Sequence, residues 1–179
     1  MVVDSGSRFE ALYQAHAGAV RTYVRRRSDA QAADDVVADV FVVAWRRLKD
    51  VPDDPLPWLL GVARGMLANR RRAWARAEAL RDRVALEQAT APSVGRLRSE
   101  SDHAVLRALG ALSERDREVL LLVGWEGLEP AQAARALGVR PNTFAARMYR
   151  ARRRFARALT AESDQSDQTG SSANAEVLP

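Results

Sequence analysis

The sequence predicts an all-α protein made of two small helical domains joined by a linker. Apolar side chains recur at helical spacing through most of the chain, whereas no stretch alternates with the two-residue period of a β-strand. The helical pattern fades between Ala89 and Gly95, where small and polar residues predominate. Each half of the 179-residue chain is near the lower size limit at which a domain can bury its own core.

Two helices are predicted at the start of the chain. The first runs from Phe9 to the arginines at positions 25–27. The second starts at Ser28, because Ser28 and Gln31 form a capping-box pattern and acidic residues follow near the positive end of the helix. Its apolar stripe contains Val36, Val37, Val40, Phe41, Ala44, Trp45 and Leu48.

Prolines at positions 52, 55 and 57 interrupt the helical pattern and predict a stiff loop from Asp50 to Pro57. A third helix is expected from Trp58 to about Val84, apolar at first and then rich in arginine. The first domain therefore spans residues 1–84, and residues 85–103 are predicted to be a flexible linker.

The second domain is predicted to cover residues 104–160. Helical spacing resumes at Val105, and Ser113 is a plausible N-cap for a helix that continues to Val123. Residues 161–179 contain four acidic residues and no basic one, among Ser, Gln and Gly. This composition predicts a disordered acidic tail.

Residues 127–156 indicate a helix, a tight turn and a second helix. The first helix is predicted over Pro130–Leu137, Gly138 suits the left-handed turn, and the second helix begins at Pro141. Its apolar stripe consists of Phe144, Met148, Ala151, Phe155 and Leu159. The opposite face carries Asn142, Ala146, Tyr149, Arg150, Arg153 and Arg157. Such a face suits the major groove of DNA, and the alternative is a solvated helix whose arginines favour its negative end.

The charge of the chain favours a nucleic-acid partner. The formal net charge is +5, but residues 1–160 hold 28 basic residues against 19 acidic ones, a net charge of +9. An anionic membrane surface would also suit this charge. Insertion into a membrane is not expected, because no apolar run approaches the roughly 20 residues that span a bilayer, and no signal peptide is recognisable at the start. The absence of cysteine is compatible with a reducing cytoplasm.

Four segments of the chain resemble, in the same order, four segments of one protein family. They are Asp34–Trp45, Trp58–Arg64, Leu112–Leu120, and the turn and second helix with Gly138, Thr143, Arg147, Arg150 and Ala151. They are similar to regions 2.2, 2.3 and 4 of the extracytoplasmic-function (ECF) sigma factors, promoter-recognition subunits of bacterial RNA polymerase. The resemblance covers Phe9 to Leu159. It implies a region 2 helical bundle in the first domain and a region 4 helix-turn-helix in the second.

For the second helix, the resemblance implies contact with the clamp helices of the largest polymerase subunit. The matching positions are Asp35, Ala38, Asp39 and Val42. Spacing alone places Asp35 and Asp39 on one helix face, which is equally consistent with a solvated acidic patch. Region 4 of the family implies a further contact with the polymerase flap.

The loop after the second helix and the third helix match the part of the family that binds the minus-10 promoter element. The resemblance implies that the loop from Lys49 to Leu56 holds a flipped base in a preformed pocket and that the third helix binds single-stranded DNA. The matching residues are Lys49, Asp53, Leu56, Trp58, Arg64, Asn69, Arg70 and Arg71. Without the resemblance, two alternatives stay open: Trp58 could be a core residue, and the arginines of the third helix could form only a solvent-exposed face.

In the second domain the resemblance implies recognition of the minus-35 element. The candidate residues are Arg140, Asn142, Thr143, Ala145, Ala146, Arg147, Tyr149, Arg150 and Arg153. Base contacts are expected at positions 145, 146, 149 and 150, with Arg147 nearer the DNA backbone.

No catalytic, metal or cofactor site is predicted. The two histidines are far apart in the sequence, His16 is most simply a packing residue, and no glycine-rich phosphate loop is present. We therefore expect a cytoplasmic sigma factor that binds core polymerase and promoter DNA. The alternative is a stand-alone helix-turn-helix regulator. The sequence leaves open whether an anti-sigma factor is a further partner and which promoters are read.

Overall fold

A computed structural model describes residues 4–81 and 100–173 of the chain. Within these two ranges all regular structure is helical, which confirms the predicted all-α class. The helices are α1 (Ser5–Arg25), α2 (Ala30–Arg46), α3 (Pro55–Arg81), α4 (Glu100–Gly110), α5 (Glu114–Gly124), α6 (Pro130–Leu137) and α7 (Pro141–Ala173). They form two compact units, one containing α1 to α3 and the other containing α4, α5, most of α6, and α7.

In the first unit α1, α2 and α3 all contact one another. Their shared core consists of β-branched, aromatic and other apolar side chains: Val20, Tyr23, Val24, Val36, Val37, Val40, Phe41, Ala44, Leu59, Ala63 and Leu67. Edge-to-face ring contacts join α1 to α2, with centroid distances of 4.7 Å between Tyr13 and Phe41 and 5.2 Å between Phe9 and Trp45. These contacts fix α2 against α1.

The start of α2 differs from the predicted capping box. Asp29 is the N-cap, and its carboxylate accepts a hydrogen bond of 2.8 Å from the backbone N–H of Ala32. The hydroxyl of Ser28 instead donates to the carbonyl oxygen of Val24 at the end of α1. Serine and aspartate can both cap a helix, but here the hydroxyl of Ser28 is hydrogen-bonded to the last turn of α1 and does not cap α2.

The loop before α3 is shorter than predicted, because α3 begins at Pro55 rather than at Trp58. Pro55 and Pro57 therefore lie inside the first helical turn. Proline is tolerated there because the first backbone N–H groups of a helix have no intrahelical partner. The predicted loop from Asp50 to Pro57 is correct only as far as Asp54, and the predicted end of this helix at Val84 lies outside the described residues.

In the second unit α4 and α5 both pack against α7. A small apolar cluster of Leu109, Leu112 and Leu121 lies at this junction, with Phe155 of α7 packed against it. The predicted cap of α5 is confirmed, since the hydroxyl of Ser113 accepts a hydrogen bond from the backbone N–H of Asp116. The helix α4 begins at Glu100, so residues 100–103 of the predicted linker are helical; residues 85–99 lie outside the described range.

The helix-turn-helix has the predicted boundaries. After α6, Gly138 has a φ of +64°, a left-handed conformation that favours glycine. The backbone N–H of Val139 returns to the carbonyl oxygen of Ala134 at 3.0 Å, as in a Schellman motif. The turn then leads directly into α7 at Pro141.

The helix α7 continues to Ala173, whereas the sequence predicts disorder from residue 161. The prediction of disorder is therefore corrected over residues 161–173. This stretch contains no proline, and extending an existing helix avoids the unfavourable nucleation step. At its start the carboxylate of Glu162 also pairs with the Arg107 guanidinium of α4.

The cap assignment generates a stability prediction. We expect Asp29→Ala to lower the free energy of unfolding by about 1 kcal/mol, because α2 loses the side-chain acceptor for one of its first N–H groups. Ser28→Ala is the neighbouring control and is expected to have less than half this effect. Urea unfolding followed by circular dichroism measures both. A larger loss for Ser28→Ala would contradict the assignment of Asp29 as the cap.

Candidate nucleic-acid and protein interfaces

The N-terminal half of α7 has two sharply different faces. Phe144, Met148 and Ala151 are buried against the second unit. The side chains on the opposite side are exposed, and they include these predicted minus-35 residues: Asn142, Thr143, Ala145, Ala146, Tyr149, Arg150 and Arg153. Arg140, directly before the helix, is also exposed, and Arg147 on the flank is half-buried. All nine candidates thus lie along one accessible side of the helix-turn-helix.

Tyr149 is a large aromatic side chain on this face, with 63% of its surface exposed. The guanidinium carbon of Arg153 lies 5.8 Å from the centre of its ring, a cation–π arrangement. Arginine and tyrosine side chains both donate hydrogen bonds to phosphate oxygens, and arginine also pairs bidentately with guanine. The face is therefore chemically suited to duplex DNA.

A charged contact anchors α7 to α5. Among the described residues Asp116 is the one charged residue that is buried, with 8% of its surface exposed. Its carboxylate accepts a hydrogen bond from the guanidinium of Arg154 on α7. Burial acts to raise the pKa of Asp116, but the hydrogen bonds from Arg154 and Ser113, with the positive charges of Arg154 and Arg150, outweigh it and hold the pKa below its ordinary value. The carboxylate is therefore ionised at neutral pH.

An apolar cavity of about 260 Å³ lies beside the exposed face of α7 that carries Tyr149. Sequence reasoning did not identify it, because its walls come from three helices. It is lined by Val123, Pro130, Phe144, Ala145, Met148, Tyr149 and Arg152.

The exposed face of α2 carries the four residues predicted to dock on polymerase. Asp35, Ala38, Asp39 and Val42 are all exposed, and at 100° per residue they lie within one third of the helix circumference. Trp45 borders them and is 49% exposed, so this member of the predicted apolar stripe is not buried. Its ring makes an edge-to-face contact with Phe9 of α1, with the two ring centres 5.2 Å apart. The α2 face is thus acidic on one side and apolar on the other.

Two aspartates of α2 are close to arginines from the neighbouring helices. Asp35 lies 3.8 Å from the guanidinium of Arg70 on α3, and Asp34 lies 3.8 and 3.7 Å from those of Arg21 and Arg25 on α1. These pairs are exposed, and pairs of this kind contribute only about 0 to 1 kcal/mol. A candidate docking residue, Asp35, and a candidate strand-binding residue, Arg70, are therefore neighbours.

The candidate minus-10 residues are spread along the loop and α3. Lys49, Asp53, Asn69 and Arg71 are exposed, whereas Leu56, Trp58, Arg64 and Arg70 are partly buried. The guanidinium of Arg47 lies 5.8 Å from the ring centre of Trp58. Trp74, which the sequence also places with the aromatic and arginine side chains of this helix, is 69% exposed on the arginine-rich part of α3. It adds an aromatic surface on which an unpaired base can stack.

A cavity of about 340 Å³ lies between α1 and the loop. Its floor is apolar and contains Leu12, Leu48 and Val51, while Arg8, His16 and Asp53 supply polar groups. The sequence indicates a packing role for His16, but the structure places it at this cavity. The sequence could not predict this position, because the two walls of the cavity are more than thirty residues apart in the chain and meet only in the folded structure.

Comparison with known proteins identifies both units. Residues 12–77 match the family described as sigma-70 region 2, and residues 102–155 match sigma-70 region 4. The first match lies in the unit of α1 to α3, and the second runs from α4 into α7. Within the described residues, no helix is both long and apolar enough to cross a membrane.

Curated relatives agree with this match. The chain is 30% identical over 156 residues to the RNA polymerase sigma factor NccH of Alcaligenes xylosoxydans, covering 80% of this chain and 82% of NccH. It is 29% identical over 146 residues to the ECF sigma factor SigL of Mycobacterium tuberculosis, covering 78% and 81% of the two chains. The probable sigma factor RfaY of Xanthomonas campestris is 31% identical over 136 residues, which span 69% of this chain but only 33% of RfaY.

Solved structures show the same fold. The sigma factor RpoE from Bartonella quintana, solved in complex with the anti-sigma factor NepR, has a TM-score of 0.66 at 24% identity, covering 85% of this chain and 96% of RpoE. CnrH, solved in complex with the cytosolic domain of CnrY, has a TM-score of 0.59 at 28% identity, covering 86% and 88%. With both sigma regions matched in order, the chain belongs to the ECF sigma factors, which direct RNA polymerase to specific promoters.

Proposed function

We propose that this sigma factor uses three separate surfaces: the α2 face for core polymerase, the loop and α3 for the melted minus-10 strand, and α7 for the minus-35 duplex. The observation that carries the proposal is the exposed arginine and tyrosine face of α7 opposite a buried apolar stripe. The chain itself catalyses no reaction in this proposal, and it works in the cytoplasm, where the polymerase is.

We assign the parts of the chain accordingly. Residues 1–84 serve polymerase docking and minus-10 recognition, and residues 104–160 serve minus-35 recognition. Residues 85–103 connect them, and the acidic residues 161–179 follow as a tail.

For the polymerase, the α2 face offers two kinds of contact. Asp35 and Asp39 present exposed carboxylates to a basic partner surface, while Val42 and the half-exposed ring of Trp45 present apolar area beside them. Burial of apolar area is the dominant favourable contribution to most protein association, and the carboxylates add orientation and specificity. We therefore add Trp45 to the docking residues.

For the minus-10 element, α3 combines aromatic and cationic side chains along one helix. Arg71 and Trp74 are exposed, and stacking of a base on an aromatic ring contributes about 1 to 3 kcal/mol. The cavity between α1 and the loop lies beside Asp53 and is the described recess nearest to the loop residues of the proposed pocket. We propose that the flipped base enters there.

An anti-sigma factor is a further proposed partner. CnrH, to which this chain is similar, was solved with the cytosolic domain of CnrY bound to it. A protein that covers the α2 face would prevent docking on polymerase.

The docking proposal predicts the effect of removing two carboxylates. We expect Asp35→Asn with Asp39→Asn to reduce co-purification with core polymerase at least tenfold, because both changes remove charge on the docking face without changing side-chain size. Glu10→Gln with Asp50→Asn removes the same charge from exposed positions outside α2 and is expected to leave co-purification unchanged. Melting temperatures check that all variants fold. Undiminished co-purification of the first variant would refute the assignment.

The proposed role of α7 in minus-35 recognition predicts different effects for two arginines on its exposed face. Arg150→Ala is expected to cost about 1 to 3 kcal/mol in promoter affinity and to relax the preference at one base pair. Arg153→Ala is expected to weaken binding to all DNA sequences alike. It is also expected to reduce the dependence of log affinity on log salt concentration by roughly the contribution of one phosphate contact. Holoenzyme binding to duplexes with single base-pair changes measures both. A uniform loss for both variants would show that Arg150 is not a base reader.

The sigma-factor mechanism predicts that promoter protection requires core polymerase. Each DNA-binding unit alone makes a weak contact, and holding both on the polymerase raises the combined affinity by a factor on the order of 100 to 10,000. Footprinting with the chain alone and with core polymerase tests this. A stand-alone helix-turn-helix regulator would protect its site tightly without core polymerase, and such protection without strand opening would contradict the proposal.

A further inference from the structure

The contact between Asp116 and Arg154 joins two helices that are far apart in the sequence. Asp116 lies in the first turn of α5, and Arg154 lies 38 residues later on α7. The backbone N–H of Asp116 donates to the hydroxyl of Ser113, so the same residue completes the N-terminus of α5. The backbone of Asp116 is therefore fixed at the start of α5, while its carboxylate binds α7.

The position of Arg154 on α7 gives this contact its importance. At 100° per residue Arg154 lies on the flank of the helix, between the buried stripe and the exposed face. Arg150 lies one turn earlier and about 40° nearer to the centre of the exposed face, and its positive charge also acts on the Asp116 carboxylate. One buried anion thus interacts with two arginines: Arg154, which it binds directly, and Arg150, a proposed base reader.

Apolar packing and polar contacts constrain α7 in different ways. The side chains of Phe144, Met148 and Ala151 determine which stripe is buried, but the hydrophobic effect that buries them is non-directional. A hydrogen-bonded ion pair at the flank is directional. It also keeps the Arg154 guanidinium away from DNA phosphates.

We propose that Asp116 is a positioning residue for minus-35 recognition: by holding Arg154 it fixes the rotation of α7 and directs Arg150 to a base edge instead of a phosphate. This inference rests on the proposed function, because it assumes that α7 reads the minus-35 element. The inference gives α5 a role in sequence specificity, although α5 carries no proposed base contact.

The test compares specificity with affinity in holoenzyme assembled from core polymerase and the full chain. A pool of promoter duplexes with a randomised minus-35 segment is selected by the wild-type holoenzyme, and the most enriched duplex and a scrambled one serve as probes. Asp116→Asn removes the charge and keeps the shape. We expect the affinity ratio of enriched to scrambled duplex to fall about tenfold. Affinity for the scrambled duplex is expected to be retained or increased, with a steeper salt slope by roughly one phosphate, because Arg154 becomes available to the DNA backbone.

Glu114→Gln is the matched control, because Glu114 lies in the same turn of α5, is exposed, and loses the same charge. Its affinity ratio is expected to equal that of the wild type. Arg154→Lys provides a second, milder variant that keeps the charge but loses the planar fork of arginine. It is expected to lower the ratio in the same sense, and it decides the question if Asp116→Asn fails to fold.

A purely structural role for Asp116 gives a different result. Affinities for the enriched and scrambled duplexes would then fall together with the melting temperature, at an unchanged ratio in both variants, and this outcome would overturn the inference. Failure of the proposed function is recognisable separately, because the wild-type holoenzyme itself would then enrich no minus-35 sequence from the pool.

Discussion

The burial of one stripe on a helix determines what its other side can do. In α7, Phe144, Met148 and Ala151 pack against the rest of the second unit, so the 3.6-residue period brings Tyr149, Arg150 and Arg153 to the surface. The same constraint acts on α2, where buried Val36, Val40 and Ala44 leave Asp35, Asp39 and Val42 exposed. The functional surfaces are consequences of the cores, and a change that rotates either helix would displace a whole row of side chains.

Local signals in the sequence predicted much of the fold. Pro130 and Pro141 mark helix starts because proline fixes φ at a helical value, and Gly138 marks the turn because glycine readily adopts a positive φ; the structure has these boundaries. Ser113 was correctly identified as a cap because its hydroxyl can accept a hydrogen bond from the first turn of the helix. Where two residues could perform one local task, the outcome depended on the surroundings: Ser28 and Asp29 are both good caps, and contact with α1 determined which one caps α2.

The features that sequence reasoning missed depend on contacts between distant residues. Trp45 fits the apolar stripe of α2, but packing against α1 leaves it half-exposed, and no pattern within α2 contains that information. The cavity with His16 and Asp53 forms only when α1 and the loop come together. Arg154 belongs by spacing to a basic helix face, and only the fold brings it to the carboxylate of Asp116.

The length of α7 gives the protein a directional charge distribution. The helix has 33 residues, which corresponds to a rod about 50 Å long. Arginines are concentrated in its first half, whereas Glu162, Asp164 and Asp167 follow near its end, where the helix dipole is also negative. A polyanion attracts one end of this rod and repels the other. The charge of α7 is therefore polarised along the helix axis, and a polyanion favours its arginine-rich half.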